Sequence, residues 1–112
     1  MCTVSFVPGN NCVYFTSNRD EKHLRKAAIP PAIYPAKSGN MLFPRDGEAG
    51  GTWIAAHDDG RAIVFLNGAW QPHIPQPPYR RSRGLILLDL MDASSAGAMF
   101  DRILLDAIEP FT

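Results

Sequence analysis

Cys2 follows the initiator methionine directly, and this position gives its thiol a candidate base on the same residue. Methionine is usually removed when the next residue is as small as cysteine, so we expect the mature chain to begin with a thiol and a free α-amine. That amine, whose ordinary pKa is about 7.7–8.0, can accept the thiol proton near neutral pH, as in amino-terminal nucleophiles. The alternative is an inert second residue at a frayed chain end.

The run Asn18-Arg19-Asp20-Glu21 supplies two further candidate groups. A guanidinium close to a thiol favours its thiolate form, and a carboxylate can hold a terminal amine in place. Arg19 and Asp20 are therefore candidates to act on Cys2 if the fold brings them to it. The alternative interpretation of such a charged run is a solvated turn.

Asn67 is the third candidate, because it directly follows the apolar run 62–66. An asparagine side-chain N–H at a strand end can stabilise a developing oxyanion, and the adjacent Gly68 lets a substrate approach the backbone. The alternative is that Asn67 and Gly68 only form a turn.

A β-hairpin over residues 3–17 is the first element that must position these groups. Its runs 3–7 and 12–16 are rich in β-branched and aromatic residues, and the Pro-Gly-Asn-Asn segment at 8–11 is typical of a turn. In an antiparallel pair the far end of the second strand returns to the start of the first. The hairpin therefore predicts that the charged run lies beside Cys2.

The rest of the chain is predicted as a loop with short extended pieces over 27–51, a second hairpin over 52–66, a loop over 70–81 and two helices within 83–106. Proline and glycine dominate the first loop, and four prolines occupy the second. The strand 62–66 is apolar at every position, so we expect both of its faces to be covered. Ser82 and the segment 92–95 are candidate helix N-caps.

The composition describes one small globular domain, 1–112, and excludes several classes of partner. The chain is 46% hydrophobic and carries 11 Lys+Arg against 11 Asp+Glu, so no overall field attracts nucleic acid. No apolar stretch is long enough to predict a transmembrane segment or a secretory leader. Two cysteines do not make a disulfide scaffold, which indicates a cytoplasmic location. The three histidines lack metal-ligand spacing, so we expect neither a metal nor a cofactor.

Four features of the sequence together resemble the NRDE family, also called the transport and Golgi organisation family. They are the amino-terminal Met1-Cys2, the tetrapeptide at 18–21, the Gly-Gly-Thr-Trp segment at 50–53 and the Leu-Asn pair at 66–67. The resemblance covers residues 1 to 84 and, less specifically, the two predicted helices. It implies an α+β fold, an Ntn-hydrolase-like αββα sandwich of antiparallel sheets. NRDE proteins are typically longer, and Phe111-Thr112 looks like the start of another strand, so we expect the chain to be the N-terminal half of that fold.

Within the Ntn hydrolases, the opening of the chain is similar to that of choloylglycine hydrolases and penicillin V acylases. The resemblance implies that Cys2 is the nucleophile with its own amine as base, and that Arg19 stabilises the thiolate. It also implies that Asp20 holds the amine and that Asn67 donates to the oxyanion.

The activity that the resemblance implies is amidase-like or thioesterase-like hydrolysis of a small molecule with an acyl group, at a C–N or thioester bond. The alternative is a non-catalytic binding or trafficking factor that handles haem or lipid or organises the secretory pathway. If the chain is truncated, an open edge or apolar face is expected to make it self-associate.

Overall fold

The computed structural model describes residues 2–21, 23–68 and 73–112. These residues form two antiparallel sheets, ordered β1-β2 and β3-β4-β5-β6, with two helices after them. The α+β class predicted from the sequence is confirmed. No helix in these three ranges is long and apolar enough to cross a membrane. The elements are β1 (Thr3–Pro8), β2 (Val13–Asn18), β3 (Ile29–Pro35), β4 (Asn40–Arg45), β5 (Ile54–His57), β6 (Ala62–Val64), α1 (Arg83–Asp92) and α2 (Ala96–Phe100).

The first hairpin, β1 and β2, pairs in regular register from Thr3 opposite Asn18 to Pro8 opposite Val13. Its turn closes where the N–H of Gly9 donates to the carbonyl of Cys12 over 2.7 Å. The end of the hairpin away from this turn therefore brings the chain start next to the residues that follow β2.

The core lies between the four-stranded sheet and α1. Met41 and Phe43 on β4 and Ala55 on β5 are buried against Leu87 and Met91 of α1. Apolar residues at helical spacing on α1 thus cover one face of the sheet. We expected both faces of the run 62–66 to be covered, but in the described structure α1 covers only one face of β6, and Ala62 is exposed.

The stretch 27–51, predicted as a loop with short extended pieces, contains the paired strands β3 and β4. Prolines at positions 30, 31 and 35 hid β3 from sequence analysis, because proline cannot donate to a central ladder. β3 lies at the edge of its sheet, and the register shifts between Ile29 and Ala32, where two of these prolines stand. An edge strand with an irregularity tolerates proline, since some of its N–H groups need no partner.

The helical region 83–106 is shorter than predicted, because α2 ends at Phe100. Beyond α2, the guanidinium of Arg80 donates to the carbonyls of Leu104 and Asp106, and its N–H donates to the carbonyl of Ala107. The segment after α2 is thus tied to the loop before α1 and does not continue the helix. The structure describes the predicted loop 70–81 from residue 73 onward. Residues 73–81 contain no helix or strand.

Candidate functional site

Three of the four residues predicted from the sequence line one cleft: Cys2, Arg19 and Asn67. The cleft encloses about 530 Å³, including its open mouth. The open end of the first hairpin, the segment before β5, the segment after β6 and the N-terminus of α1 form its walls. The described lining residues are Cys2, Ser17, Arg19, Glu21, Arg25, Asp46, Ala49, Gly51, Thr52, Trp53, Phe65, Asn67, Ser82, Arg83 and Gly84.

Cys2 is half-buried at the wall of the cleft, and its Sγ lies 3.9 Å from the backbone carbonyl oxygen of Asp20. The antiparallel register explains this contact, because Cys2 precedes the pair Thr3–Asn18 at the open end of the hairpin. The side chain of Asp20 is not among the described residues that line the cleft, and Asp20 is exposed. The structure thus brings the backbone of Asp20 to the cysteine.

The guanidinium of Arg19 is held from three sides within the cleft. It forms ion pairs with Asp46 and with Glu21, the latter at 3.0 Å, and its Cζ lies 4.6 Å from the ring centre of Trp53. A guanidinium stacked on an aromatic face and paired with carboxylates has a fixed position. Arg19 is therefore a fixed positive charge in the same cleft as the Cys2 thiol.

Asp46 is the buried carboxylate of the cleft, and it was not predicted from the sequence. Its Oδ1 accepts the N–H groups of Ala49 and Glu48 at 2.7 and 3.0 Å, while its Oδ2 is bound by Arg19 and by Arg25 at 3.1 Å. Burial alone raises the pKa of Asp46, but the two N–H donors and the two guanidinium charges outweigh it, so the pKa is lowered below its ordinary 3.8. The carboxylate is thus ionised at neutral pH and orients Arg19.

Asn67 owes its position to the end of the described chain. It forms an antiparallel bridge with Phe111, and Leu66 and Thr112 exchange hydrogen bonds of 2.8 and 3.0 Å on one side of that bridge. On the other side, Gly68 has a φ of +79°, which glycine adopts readily, and its N–H donates to the carbonyl of Pro110. These contacts keep Asn67 at the edge of the cleft.

The N-terminus of α1 forms another wall of the cleft and contributes Arg83. The Arg83 guanidinium pairs with Glu109 at 2.8 Å and donates to the carbonyl of Pro110 at 3.0 Å. Burial lowers the pKa of Arg83, against the opposing effect of the Glu109 charge. These contacts place Arg83, part of the basic run at 80–83, in the wall of the cleft.

Two signals in the sequence could have located the missed residues. The Asp-Gly pair at 46–47 is typical of a turn in which an aspartate accepts backbone N–H groups, as Asp46 does. The Gly-Gly pair at 50–51, two residues before Trp53, is typical of a close backbone approach, and Gly51 does lie against Gly84 of α1. In the three described ranges no group of three or more His, Cys, Asp or Glu residues could hold a metal ion.

The arrangement combines a thiol, a fixed cation and an amide donor at the edge of one cleft in an α+β protein with two antiparallel sheets. The family model of Transport and Golgi organisation 2 matches residues 1–109, and the chain belongs to this family. No curated protein and no solved structure matches the chain.

Proposed function

We propose that the protein is an acyl hydrolase with Cys2 as an amino-terminal nucleophile, acting on a C–N or thioester bond of a small acyl compound. The observation that carries this proposal is the cleft that Cys2, Arg19 and Asn67 share. Cysteine acyl transfer needs a thiolate and a donor to the oxyanion, and a nearby cation favours the thiolate.

The proposed reaction begins after removal of Met1, which lies outside the described residues. The α-amine of Cys2 takes the thiol proton, Sγ attacks the substrate carbonyl and a C–S bond forms. The carbonyl oxygen becomes an oxyanion that accepts a hydrogen bond from the Asn67 amide. The leaving amine or thiol departs with the proton, and water then hydrolyses the thioester to a carboxylic acid and the free Cys2 thiol.

Asp46 supports this proposal in a role that the resemblance did not assign, which is to hold the cation Arg19. Its carboxylate binds Arg19, so it sets the position of the cation and does not reach the amine in any contact described. We propose Cys2 and Asn67 as catalytic residues, Arg19 as the cation that stabilises the thiolate and Asp46 as a positioning residue. Asp20 remains a candidate to hold the amine, and it is not without a partner in the structure.

The proposal also includes a reducing, cytoplasmic compartment. Both cysteines of the chain, Cys2 and Cys12, are free thiols, which suits such a compartment and leaves Cys2 available as a nucleophile.

The test uses an acyl thioester probe and a chain whose Met1 removal has been verified by intact mass. Cys12 is an internal reference, because it is exposed while Cys2 is half-buried. An unactivated pair of thiols would react faster at Cys12, so faster acylation at Cys2, located by peptide mapping, is the expected result. Asn67→Ala should slow acylation of Cys2 by about 100-fold and leave Cys12 unchanged. Retention of Met1, or acylation at Cys12 alone, would contradict the proposal.

A binding role without catalysis is the second candidate. The contacts that already engage the Arg19 guanidinium favour it. Its guanidinium is already engaged by Asp46, Glu21 and Trp53, and the contacts described for Cys2 do not include it. In this role the cleft would hold haem or a lipid for transport or secretory-pathway organisation. Titration with haem and with acyl-CoA distinguishes the two: saturable binding that persists in Cys2→Ser, without acylation of the wild type, supports the binding role.

A further inference from the structure

The pair Asn67-Gly68 combines an exposed side-chain amide with a glycine directly after it. It is the one Asn-Gly pair that the five asparagines of the sequence form. Asn67 is exposed, so water and dissolved base reach its side chain. Glycine has no Cβ, so its backbone nitrogen can approach the preceding side chain closely. The pair can therefore close a succinimide ring between the Gly68 nitrogen and the Asn67 side chain.

The reaction that such a ring leads to is deamidation. A solvent base removes the proton of the Gly68 N–H, the nitrogen attacks Cγ of Asn67, and a C–N bond forms. The bond from Cγ to the side-chain nitrogen breaks, and ammonia leaves with a proton from water. A water molecule then opens the ring at either of its carbonyls, which leaves aspartate or isoaspartate at this position. Water is thus the one co-reactant.

Residues 110–112, which we call the guard segment, bind the nitrogen that must lose its proton. The Gly68 N–H donates to the carbonyl of Pro110 over 2.9 Å, and the backbone of Asn67 forms its bridge with Phe111. A hydrogen-bonded amide gives up its proton to solvent only when the bond opens. The closed guard segment therefore keeps the attacking nitrogen protonated and the backbone around it fixed.

Contacts with the wall of the cleft hold the guard segment in place. The Arg83 guanidinium donates to the Pro110 carbonyl at 3.0 Å, and the centre of the Phe111 ring lies 5.9 Å from that of Phe65, which lines the cleft. These contacts are separate from the core between the four-stranded sheet and α1. The guard segment can therefore open while that core stays folded, and opening exposes the Gly68 N–H.

We propose that Asn67 is a site of spontaneous deamidation whose rate is set by opening of the guard segment. The product carries a carboxylate in place of the amide, and a carboxylate donates no hydrogen bond and adds a negative charge at the edge of the cleft. A developing oxyanion is then repelled where it was stabilised, so acylation of Cys2 is lost. This consequence rests on the proposed function, whereas the modification itself does not.

The test is peptide mapping by mass spectrometry after incubation at mildly alkaline pH, with the same protein in guanidinium chloride as the unprotected reference. We expect deamidation at Asn67 to be at least about 10-fold slower in the folded protein. Phe111→Ala should speed the reaction in the folded protein by about 5- to 30-fold, because the guard segment loses its ring contact. Thr112→Val, which removes the 2.8 Å bond from Oγ1 to the Gly68 carbonyl, should change the rate in the same direction. Far-UV circular dichroism establishes that each variant is folded, and Thr112→Val decides if Phe111→Ala is not.

Phe100→Ala is the matched control, since Phe100 is exposed and lies in α2. Its rate of deamidation at Asn67 should equal that of the wild type. Equal rates in the folded and the denatured protein overturn the proposal, as does a denatured protein in which Asn67 stays intact. Guard-segment variants that react no faster than the wild type also overturn it. Deamidation that follows this pattern in a protein that never acylates Cys2 supports the inference and contradicts the proposed function alone.

Discussion

Gly51 and Gly84 touch backbone to backbone at the floor of the cleft. A Cβ on Gly51 would lie 2.7 Å from the Cα of Gly84, and a Cβ on Gly84 would lie 2.7 Å from both the N and the O of Thr52. The Thr52 N–H also donates to the Gly84 carbonyl at 3.3 Å. Two glycines thus let the segment before β5 reach the first turn of α1, and this approach brings Arg83 and Trp53 to the same cleft.

Gly84→Ala is expected to destabilise the protein by about 1–3 kcal/mol, because the backbone of Thr52 cannot move aside as a side chain would. Thermal unfolding measures the change, and the melting temperature should fall by roughly 4–12 °C. Gly97→Ala is the control. No atom lies within 4 Å of the Cβ that this change adds in α2, so stability should stay the same or rise by about 0.5–1 kcal/mol. Equal effects of the two substitutions would refute the close contact.

Asp46→Asn should change the pH dependence of stability. The folded-state pKa of Asp46 is lowered below 3.8, so the carboxylate stabilises the fold above that pH, and the contribution is lost as pH falls below it. We expect a loss of about 2–4 kcal/mol at pH 7, where two guanidinium groups lose a buried partner. Urea denaturation between about pH 7 and 3 should show this difference shrinking toward acid pH. A difference that is constant with pH would contradict the assigned role.

Arg19 and Trp53 should be energetically coupled through the stacked guanidinium. A double-mutant cycle with Arg19→Met and Trp53→Leu is expected to give a coupling free energy of about 0.5–2 kcal/mol from urea denaturation. A matched cycle with Arg81→Met, whose guanidinium pairs with Asp89 of α1, should give no coupling to Trp53. Additive effects in both cycles would show that the stacking contributes nothing to stability.

Ser38 connects buried His57 to the end of α1. Its Oγ lies 2.9 Å from His57 Nε2 and donates to Asp92 Oδ1 at 3.0 Å, and its backbone N–H, the largest influence on that carboxyl, helps to lower the pKa of Asp92. Ser38→Ala leaves the imidazole nitrogen without this partner, so we expect a loss of about 1–3 kcal/mol in the free energy of unfolding. Ser94→Ala, at an exposed serine nearby, should change it by less than about 0.5 kcal/mol.

Turn residues and strand alternation in the sequence were sufficient to predict the first hairpin and the positions that it brings together. The turn at 8–11 and the alternation beside it predict a hairpin, and the register then requires that Arg19 lie near Cys2. Asn67 followed from an apolar run that ends at a glycine. These inferences depend on neighbours in sequence, for which turn chemistry and strand period are reliable guides.

The remaining parts depend on contacts between distant residues, which composition does not encode. β3 forms in spite of its prolines because β4 pairs with one of its edges only. Asp46 becomes the buried anion because Arg19, 27 residues away, and Arg25 converge on it. Asp20 stays a prediction, since it was selected as a carboxylate able to hold the terminal amine of a residue whose contacts only partly lie within the described chain.

The pairing of Asn67 with Phe111 sets an order of events during synthesis. Cys2 leaves the ribosome among the first residues, whereas Asn67 acquires its bridge only after residue 112 has emerged. At about 5–20 residues per second, that interval lasts several seconds. If the proposed function holds, the terminal amine of Cys2 can therefore be produced before the cleft is complete.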